Sequence, residues 1–295
     1  MKNLMRFKLL YFIFSLLLIL PGLYFLITSG LRLGIDFTGG ALLEYQFEKS
    51  IDPNDLKQQI SSQGIEVGQI NSSSNNIYII RTKSVDQSKI NQLKLSLGEK
   101  FGQVEERRVE FVGPVVGAEL SQKAFIAVAL ASLVIVLYIA FSFRKIPRPQ
   151  SSWRFGITAV VALIHDILIV VGLFAMLGKF LGVEIDTLSV TALLTVIGFS
   201  VHDTIVVFDR IRENLTKHIG KKFIDIANLS VIQTLDRSLN TSLTVVFVLL
   251  AMLLFGGETL RWFVLTLLVG IVSGTYSSIF NATAMLVWWE EKLGH

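Results

Sequence analysis

The stretch "VIGFSVHDTIVVFDRIREN", residues 196–214, decides how the chain is interpreted. It predicts a helix apolar enough to cross a membrane and ending in charged residues, yet His202 and Asp203 lie within its apolar part. An uncompensated charge at the bilayer centre costs roughly 2.5–3.5 kcal/mol on insertion scales. We therefore expect these side chains to face other helices, water or a partner, and not lipid.

The composition also indicates a membrane protein. Of 295 residues, 52% are hydrophobic and 17% charged, and the mean hydropathy of +0.60 is too high for an ordinary soluble domain. Cysteine is absent, which excludes disulfides, thiolate metal sites and cysteine nucleophiles. The net charge of +4 is modest. We expect no cofactor, no metal, no catalytic residue and no nucleic-acid partner.

Charge-free runs at 9–31, 124–143, 238–257 and 262–289 are each long enough to cross a hydrocarbon core about 30 Å thick. Two more spans follow if internal ionisable groups are allowed, one containing His165 and Asp166 and one containing His202 and Asp203. The prediction is an α-helical polytopic membrane protein with six transmembrane helices, one followed by five. The later spans are placed at about 122–143, 155–177, 187–208, 238–257 and 262–289.

Basic residues orient these spans. They concentrate in the short segments on one side, whereas the short connections opposite hold only Lys179 and Arg261. The positive-inside rule places both termini in the cytoplasm. The first span is expected to stay uncleaved, because its apolar run is long and no A-x-A-like site closes it. The basic residues on the first side are Lys2, Arg6, Lys8, Arg144, Lys145, Arg148, Arg154, Arg210, Arg212, Lys217, Lys221, Lys222, Arg237 and Lys292.

Residues 32–121 differ from their flanks, with 10 basic and 12 acidic residues and no long apolar run. This predicts three parts: a cytoplasmic N-terminus with the first span at 1–31, an extracytoplasmic domain at 32–121, and a five-helix bundle with a short cytoplasmic C-terminus at 122–295. In the domain we predict strands at 41–48, 66–70, 76–82 and 103–112, helices at 52–63 and 84–100, and a turn at 71–75.

The order β-α-β-β-α-β is the ferredoxin-like arrangement, so the domain is predicted to be a small α+β fold. It contains no glycine-rich phosphate loop, clustered histidine or catalytic pair. An interaction or lever domain is therefore favoured over an extracytoplasmic enzyme.

Two glycine-rich junctions frame this domain: "LGIDFTGG" at 33–40 and "VGPVVGAEL" at 112–120. Glycine permits backbone angles closed to other residues, and Pro114 disfavours a helical conformation for the residue before it. Loop punctuation and a hinge or docking role both remain open. The candidate junction residues are Gly34, Asp36, Gly39, Gly40, Gly113 and Pro114.

The ionisable groups inside the spans are the candidate functional residues. Asp203 lies about five residues from the end of its span, at a depth that Arg237, followed by "SLNTSLT", could share. An aspartate beside an arginine stays ionised, so protonation of Asp203 would weaken such a pair and let the helices rearrange. A static ion pair is the alternative. The candidates for proton coupling are Asp203, Arg237, Asp166, His202 and His165.

Small residues recur every four positions in the last span, at Gly270, Gly274 and Ser278, with Ser273 and Ser277 beside them. This spacing allows close approach of helices. We expect at least one face of the last helix to pack against another helix.

Together, "LGIDFTGG", "VGPVVGAEL", "VIGFSVHDTIVVFDRIREN" and "RSLNTSLT" resemble the SecD/SecF family of bacterial protein export, on the SecF side. The family resembles half of an RND-type proton-driven transporter, so the resemblance implies an RND-type half bundle. It covers essentially the whole chain. The block at 196–214 is its most specific part.

The resemblance implies a subunit of the bacterial cytoplasmic (inner) membrane that pairs with SecD, associates with the SecYEG channel, and contacts membrane lipid and, transiently, preprotein. YajC and YidC are further candidate partners. It implies use of the proton-motive force to assist export after ATP-driven SecA, with Asp203 as the proton-linked aspartate and Arg237 as its partner. SecD would supply a further carboxylate, so the chain alone should be inactive.

Three alternatives remain. Another RND-type exporter subunit would normally carry two repeats and a larger outer domain. A metallohydrolase with His165, Asp166, His202 and Asp203 as ligands lacks the i, i+4 spacing of paired ligands on a helix. A passive scaffold predicts that Asn at position 203 is tolerated.

Overall fold

A computed structural model of the chain describes residues 3–72, 74–83, 85, 87–144, 146–147, 150–257 and 260–293, with only the backbone described at Gln69, Ser74 and Gln87. The chain divides into two compact units. One comprises 1–31, 127–183 and 188–295, and the other comprises 32–126 with 184–187. Some residues used in the predictions lie outside the described part of the chain: Lys2, Ser73, Ser84, Asp86, Lys145 and Arg148.

The second unit contains a four-stranded antiparallel sheet and two helices in the predicted order. Its strands are β1 (Gly40–Phe47), β2 (Val67–Ser72), β3 (Ile77–Thr82) and β4 (Val104–Val112), arranged β2-β3-β1-β4. The two predicted helices are α3 (Pro53–Ser62) and α4 (Gln87–Phe101), and a further single helical turn, α2 (Ile35–Thr38), precedes β1. The β-α-β-β-α-β order and the antiparallel sheet confirm the ferredoxin-like prediction.

Local signals in the sequence explain these elements. Asp52 caps α3 by accepting the backbone N–H of Asn54 at 2.7 Å, with Pro53 in the first turn as predicted. Strand β1 alternates between fully and partly buried residues, because one face of the sheet packs on the helices. The apolar residues of the predicted second helix, among them Ile90, Leu93 and Leu97, are all in the core.

One element of this unit was not predicted. Within the first glycine-rich junction, Ile35–Thr38 forms the single helical turn α2. The Thr38 hydroxyl donates to the Gly34 carbonyl at 3.0 Å, and the Gly39 N–H donates to the Ile35 carbonyl at 2.8 Å. A stretch of four residues between glycines is too short to show a helical period, so this turn cannot be predicted from the sequence pattern.

The other unit contains the membrane helices apart from residues 114–126 and Thr187, and the six predicted spans are confirmed. The first is a 3₁₀ turn (Leu4–Phe7) running into α1 (Lys8–Ser29). The next four are α5 (Pro114–Ser142), α6 (Ser152–Leu181), α7 (Thr187–Lys217) and α8 (Phe223–Phe255). The last joins α9 (Arg261–Tyr276), a π-helical turn (Ser277–Ala282) and α10 (Thr283–Lys292).

Helices α7 and α8 are longer than the predicted spans. Helix α7 continues beyond its span as far as Lys217, and helix α8 begins before its span, at Phe223. Polar bonds between them support the extension: the Asn214 amide donates to the Ser230 hydroxyl at 2.8 Å and to Gln233 at 2.9 Å. Apolar runs mark where a helix crosses hydrocarbon, but they do not mark where the helix itself ends.

Three helices form the interior of this bundle. The buried share of the most apolar stretch is 50% in α6, 44% in α7 and 61% in the last helix, but only 6% in α5. Helix α1 packs closely on α6 where Gly22 meets Gly172, and a Cβ added to either glycine would lie 2.7 Å from the Cα of the other. Small residues at a crossing point let two helix backbones approach closely.

Replacing Gly172 with Val should separate α1 from α6. The added side chain overlaps the backbone of Gly22, and overpacking of this kind typically costs about 1–3 kcal/mol. We expect a lower thermal unfolding midpoint of the full chain in detergent. The matched control is Gly198→Val on α7, where a Cβ meets no atom within 4 Å; an equal shift in both variants would contradict the proposed crossing.

Candidate functional site

Asp166 is a buried carboxylate that receives hydrogen bonds on both oxygens. It lies near the middle of α6 and is fully buried. Oδ2 accepts from the hydroxyls of Ser200 (2.5 Å) and Ser277 (2.6 Å). Oδ1 accepts from the Ser273 hydroxyl (3.0 Å) and contacts Nδ1 of His165 (2.9 Å). Four donors fill the acceptor positions of a carboxylate, which offsets much of the cost of burying it.

His165 connects Asp166 to the first helix. Its Nε2 lies 3.1 Å from the amide nitrogen of Asn281, which also contacts the Ser15 hydroxyl on α1. With the Asn281 nitrogen facing Nε2, the imidazole proton is on Nδ1 and is donated to Asp166. The chain of polar groups therefore runs from α1 through the last helix to α6.

Asp203 is also buried, but it has a different set of partners. It is 2% exposed, and the Ser242 hydroxyl on α8 donates to its Oδ2 at 3.4 Å, which is long for such a bond. The Thr275 hydroxyl on the last helix pairs with this same Ser242 at 2.6 Å. Asp203 thus lies between α8 and the last helix, and its hydrogen bond from Ser242 is longer than those that Asp166 accepts from serines.

A row of hydroxyls on the last helix runs beside both carboxylates. Ser273 and Ser277 bind Asp166, Thr275 contacts the partner of Asp203, and Ser278 pairs with Thr204 at 2.7 Å. The π-helical turn begins at Ser277, and turns of this type occur frequently at functional sites. These serines stand out in the sequence as polar residues within a charge-free span, but there they were interpreted only as small residues that pack.

The small-residue positions of the last helix do lie against α7. A Cβ added to Gly270 would overlap the side chain of Val196, and one added to Gly274 would come 3.0 Å from Cβ of Ser200. Ser278 donates to the Ser200 carbonyl at 2.9 Å. This close packing is what brings the hydroxyl row within reach of Asp166.

Arg237 and His202 lie away from this polar centre. Both are exposed, and among the described residues no ion pair joins Arg237 to Asp203. Asp203 and Arg237 do lie equally far along their helices from the α7–α8 connection. Asp203 precedes Lys217, the end of α7, by as many positions as Arg237 follows Phe223, the start of α8.

The helical period explains why the pair does not form. The buried stripe of α8 contains Ser230, Thr234, Ser238 and Ser242, spaced four residues apart. Arg237 precedes Ser238 by one residue, which rotates it about 100° away from that stripe. The expected Asp203–Arg237 pair is therefore not present in this chain as described.

The two glycine-rich junctions meet within the outer unit. Gly39 has φ of +72°, and its added Cβ would lie 2.7 Å from Cα of Pro114; Gly117 faces the Gly39 backbone at the same distance. Gly40, with φ of +135°, faces the Thr82 carbonyl, which an added Cβ would overlap. Positive φ and contact with backbone together exclude any larger residue at Gly39 and Gly40.

The segment that connects α6 to α7, Glu184–Thr187, belongs to the outer unit. The Gly34 N–H donates to the Ile185 carbonyl at 2.8 Å, and the Ile185 N–H donates to the Arg32 carbonyl at 2.8 Å. Asp36 accepts from both the backbone N–H (2.9 Å) and the hydroxyl (2.7 Å) of Thr187, the first residue of α7. We call these contacts, with the Arg81–Glu184 pair, the loop clamp.

The Arg81–Glu184 pair completes the loop clamp. Nε of Arg81 lies 2.7 Å from Oε2 of Glu184, and both side chains are less than a fifth exposed. Burial raises the pKa of Glu184 above its ordinary value, although Arg81 and Arg32 oppose this shift and Asp186 adds slightly to it. Burial therefore destabilises the charged carboxylate by more than the two arginines stabilise it. The sequence gives no sign of this pair, since the two residues are far apart along the chain.

Two stretches of the chain match models of one protein family. Residues 92–292 match the model of the protein export membrane protein SecD/SecF, C-terminal, and residues 24–51 match the SecD/SecF GG motif. The chain belongs to the SecD/SecF family. The GG motif match contains Gly34, Asp36, Gly39 and Gly40, and the C-terminal match contains Asp166 and Asp203.

Relatives in this family are similar over nearly their full lengths. The chain is 49% identical to the protein translocase subunit SecF of Thermobaculum terrenum, covering 99% of this chain and 95% of that protein. It is 42% identical to the SecF subunit of Anaerolinea thermophila, covering 98% and 94%. These SecD/SecF relatives are named as transport subunits.

A solved structure of the SecD/SecF family matches the fold. The crystal structure of SecDF from Thermus thermophilus, titled a translocon-associated membrane protein, aligns with a TM-score of 0.86 at 32% identity. The match covers 98% of this chain and 39% of the SecDF chain, so this chain spans well under half of that protein's length.

Removing one donor from Asp166 should destabilise the bundle. Hydrogen bonds to charged groups contribute about 1.5–3 kcal/mol, so Ser277→Ala is expected to cost roughly that amount. The measurement is thermal unfolding of the full chain in detergent. Ser62→Ala, at an exposed serine that bonds only within its own helix, is the control; an equally small effect of both would count against a compensated charge at Asp166.

The Glu184 pKa predicts how stability of the loop clamp depends on pH. A raised pKa in the folded state means that the contribution is present at low pH and is lost as pH rises through the folded-state pKa. As pH rises from about 4 and passes through the raised folded-state pKa of Glu184, the wild-type loop clamp should therefore lose stability relative to Glu184→Gln, which has no such titration. Hydrogen exchange of the Ile185 amide, corrected for intrinsic rate, measures this.

The control for that titration is Glu66→Gln. Glu66 pairs with Lys83 at 2.6 Å, but the two side chains are 67% and 73% exposed, so this solvent-screened pair should leave the pH profile of Ile185 unchanged. If wild type instead gains stability relative to Glu184→Gln as pH rises, ion pairing outweighs desolvation and our interpretation of the loop clamp is wrong.

Proposed function

We propose that the chain is the SecF-type subunit of a SecD–SecF complex that uses the proton-motive force to assist protein export through the SecYEG channel. SecD is the primary partner, supported by the similarity to SecDF, and preprotein is a transient one. YajC, YidC and membrane lipid are further expected partners. Both termini lie in the cytoplasm, as the distribution of basic residues indicates.

The observation that carries this proposal is the burial of two carboxylates on consecutive helices of the bundle. Asp166 on α6 is fully buried and Asp203 on α7 is 2% exposed. Ionisable residues inside membrane spans are costly, and they mark proton or ion pathways in pumps and transporters. A passive helical anchor would not need either of them.

The two carboxylates take different roles. Asp166, held by four donors, is fixed and anchors α6 to α7 and to the last helix. Asp203 has the weaker hydrogen bonding and lies on the side of α8 that carries Ser242, so it is the group that binds and releases the proton. Moving one elementary charge through 100 mV supplies about 2.3 kcal/mol, enough to bias two arrangements of a bundle.

Arg237 acts on Asp203 in one of these two arrangements. A rotation of α8 by about one residue, roughly 100°, would bring position 237 to where Ser238 now lies, facing α7. Ionised Asp203 favours the arrangement that pairs it with Arg237, and protonation releases it. His202, exposed and adjacent to Asp203, faces outward towards the further carboxylate that SecD would supply.

The loop clamp transmits the helix movement to the outer domain. Glu184–Thr187 joins the ends of α6 and α7, the helices that carry the two carboxylates, and is bonded to Gly34, Asp36 and Arg81 of the outer unit. A displacement of either helix end therefore pulls on the glycine-rich junction and on β3. This supports the hinge or docking role of the junction residues Gly34, Asp36, Gly39, Gly40, Gly113 and Pro114.

The decisive variant is Asp203→Asn in cells that also make SecD. Without a titrating group at this position, export should fall, and signal-peptide processing of a secreted protein should slow severalfold. Asp209→Asn is the matched control, because Asp209 lies on the same helix but is exposed and pairs with Arg212 at 2.6 Å. Normal processing in Asp203→Asn would favour a passive scaffold.

Abundance of the chain and its assembly with SecD must be measured in the same cells. If export fails only because the complex is absent, Asp203 is structural and the proton-coupling role is lost. If the complex assembles and export no longer responds to collapse of the proton gradient, Asp203 titrates during the cycle.

A further inference from the structure

A groove of about 970 Å³ opens between the end of α5 and the start of α6, and it takes no part in the carboxylate centre. Its walls are apolar, formed by Val136 and Ala140 of α5 and by Ile157, Val160 and Val161 of α6. Gly156 leaves further room, because a Cβ placed there meets no atom within 4 Å. The volume is of the order of a ligand site, about 300–1,000 Å³.

One end of the groove is polar and positively charged. Arg144, Gln150, Ser151 and Ser152 line it, next to the first turn of α6. Ser151 is the N-cap of this helix but makes no side-chain cap bond to it. The first turn of a helix presents backbone N–H groups and a positive dipole end, both of which favour an anion.

Arg144 has no ion-pair partner within the part of the chain that the structure describes. The sequence contains no Asp or Glu between Glu119 and Asp166, so no acidic residue lies close to it along the chain. Its guanidinium instead lies 3.7 Å from the ring centroid of Phe141.

Three other arginines on the same side of the membrane are already paired. Arg154 contacts Glu290 at 2.6 Å, Arg212 contacts Asp209 at 2.6 Å, and Arg210 contacts Glu213 at 2.5 Å. The charge at the groove is thus available to an external anion in a way that these are not.

The dimensions of the groove match one leaflet of a bilayer. From Arg144 to Val136 is eight residues, or about 12 Å along a helix, close to half of a hydrocarbon core about 30 Å thick. The charged end lies where α5 stops and α6 starts, at the level of lipid headgroups. Trp153, 79% exposed beside it, is the residue type enriched at that level.

We propose that this groove is a binding site for an anionic phospholipid, with the phosphate at Arg144 and the first turn of α6 and an acyl chain lying between α5 and α6. A zwitterionic lipid would fill the apolar walls and also offer a phosphate to Arg144, but its quaternary ammonium would bring a second positive charge to this end of the groove. An anionic headgroup satisfies both ends of the groove. The lipid would lie in the leaflet on the side of the basic residues.

The test uses the full chain in detergent, with Trp153 as the reporter after the other three tryptophans are replaced by Phe. Brominated phosphatidylglycerol and brominated phosphatidylcholine are titrated separately, and fluorescence quenching gives the affinity of each. We expect phosphatidylglycerol to bind about tenfold more tightly, because phosphatidylcholine carries a positive charge beside its phosphate and phosphatidylglycerol does not. Equal affinities for the two lipids would overturn the proposal.

Two variants separate the parts of the site. Arg144→Gln should abolish the preference for phosphatidylglycerol, whereas Arg212→Gln, at a paired arginine, should keep it. Gly156→Leu should weaken binding of both lipids by filling the groove. If Arg144→Gln keeps the preference, or if a photo-crosslinker at Val161 in native membranes captures a protein segment in place of lipid, the groove is not a phospholipid site.

Thermal unfolding midpoints of Arg144→Gln and Gly156→Leu establish that both variants are folded. Arg144 is exposed, so its replacement leaves the bundle core intact. A loss of lipid preference with an unchanged midpoint supports the site. The result does not depend on whether Asp203 couples to protons.

Discussion

A carboxylate inside a membrane requires hydrogen-bond donors or a cation, and the arrangement of this bundle follows from that constraint. Asp166 takes donors from α6 itself, from α7 and from the last helix, so three helices must lie close enough for serine hydroxyls to reach it. Serine side chains are short, and this forces close backbone approach. Gly270 and Gly274 permit that approach to α7. Packing and charge compensation are therefore one requirement, met by the same helices.

The same helices connect the polar centre to the outer unit through the chain itself. Helices α6 and α7 carry the carboxylates in their middle parts, and Glu184–Thr187 joins their ends. Because this segment is bonded to the first glycine-rich junction and to β3, its position depends on the sheet as well as on the helices. The glycines at 39 and 40 then matter for a physical reason: their backbones touch the start of α5 and the end of β3, where a side chain does not fit.

The two carboxylates are unequal, and this inequality is what suggests a moving part. A group held by four donors is costly to displace, whereas one held by a long hydrogen bond can exchange partners at lower cost. The exposed position of Arg237 fits this view. A cation that lies outside the buried stripe in one arrangement of the helices is free to pair with Asp203 in another arrangement. The π-helical turn in the last helix lies beside Asp166, at the point where the hydroxyl row ends.

Most of the fold could be predicted because its signals are local. Charge-free runs marked four of the six spans, and apolar runs interrupted by His165–Asp166 and His202–Asp203 marked the other two. Asp52–Pro53 and the period of Ile90, Leu93 and Leu97 marked the helices of the outer domain. Helix ends beyond the hydrocarbon were missed, because the extension of α8 to Phe223 is stabilised by polar bonds to α7 that leave no apolar run. The turn α2 was missed because it is too short to show a period.

At the candidate site, apolar patterning and turn chemistry were enough to single out Asp166 and Asp203 within apolar spans and the glycines of the two junctions. These patterns could not determine their partners, because a partner depends on which way each helix is rotated and on which helix lies opposite. Long-range packing determines that Ser273 and Ser277 bind Asp166, that Arg237 lies one position off the buried stripe, and that Arg81 meets Glu184. Rotation and neighbour choice are set by packing of the whole bundle and sheet, a property that no short stretch of sequence contains.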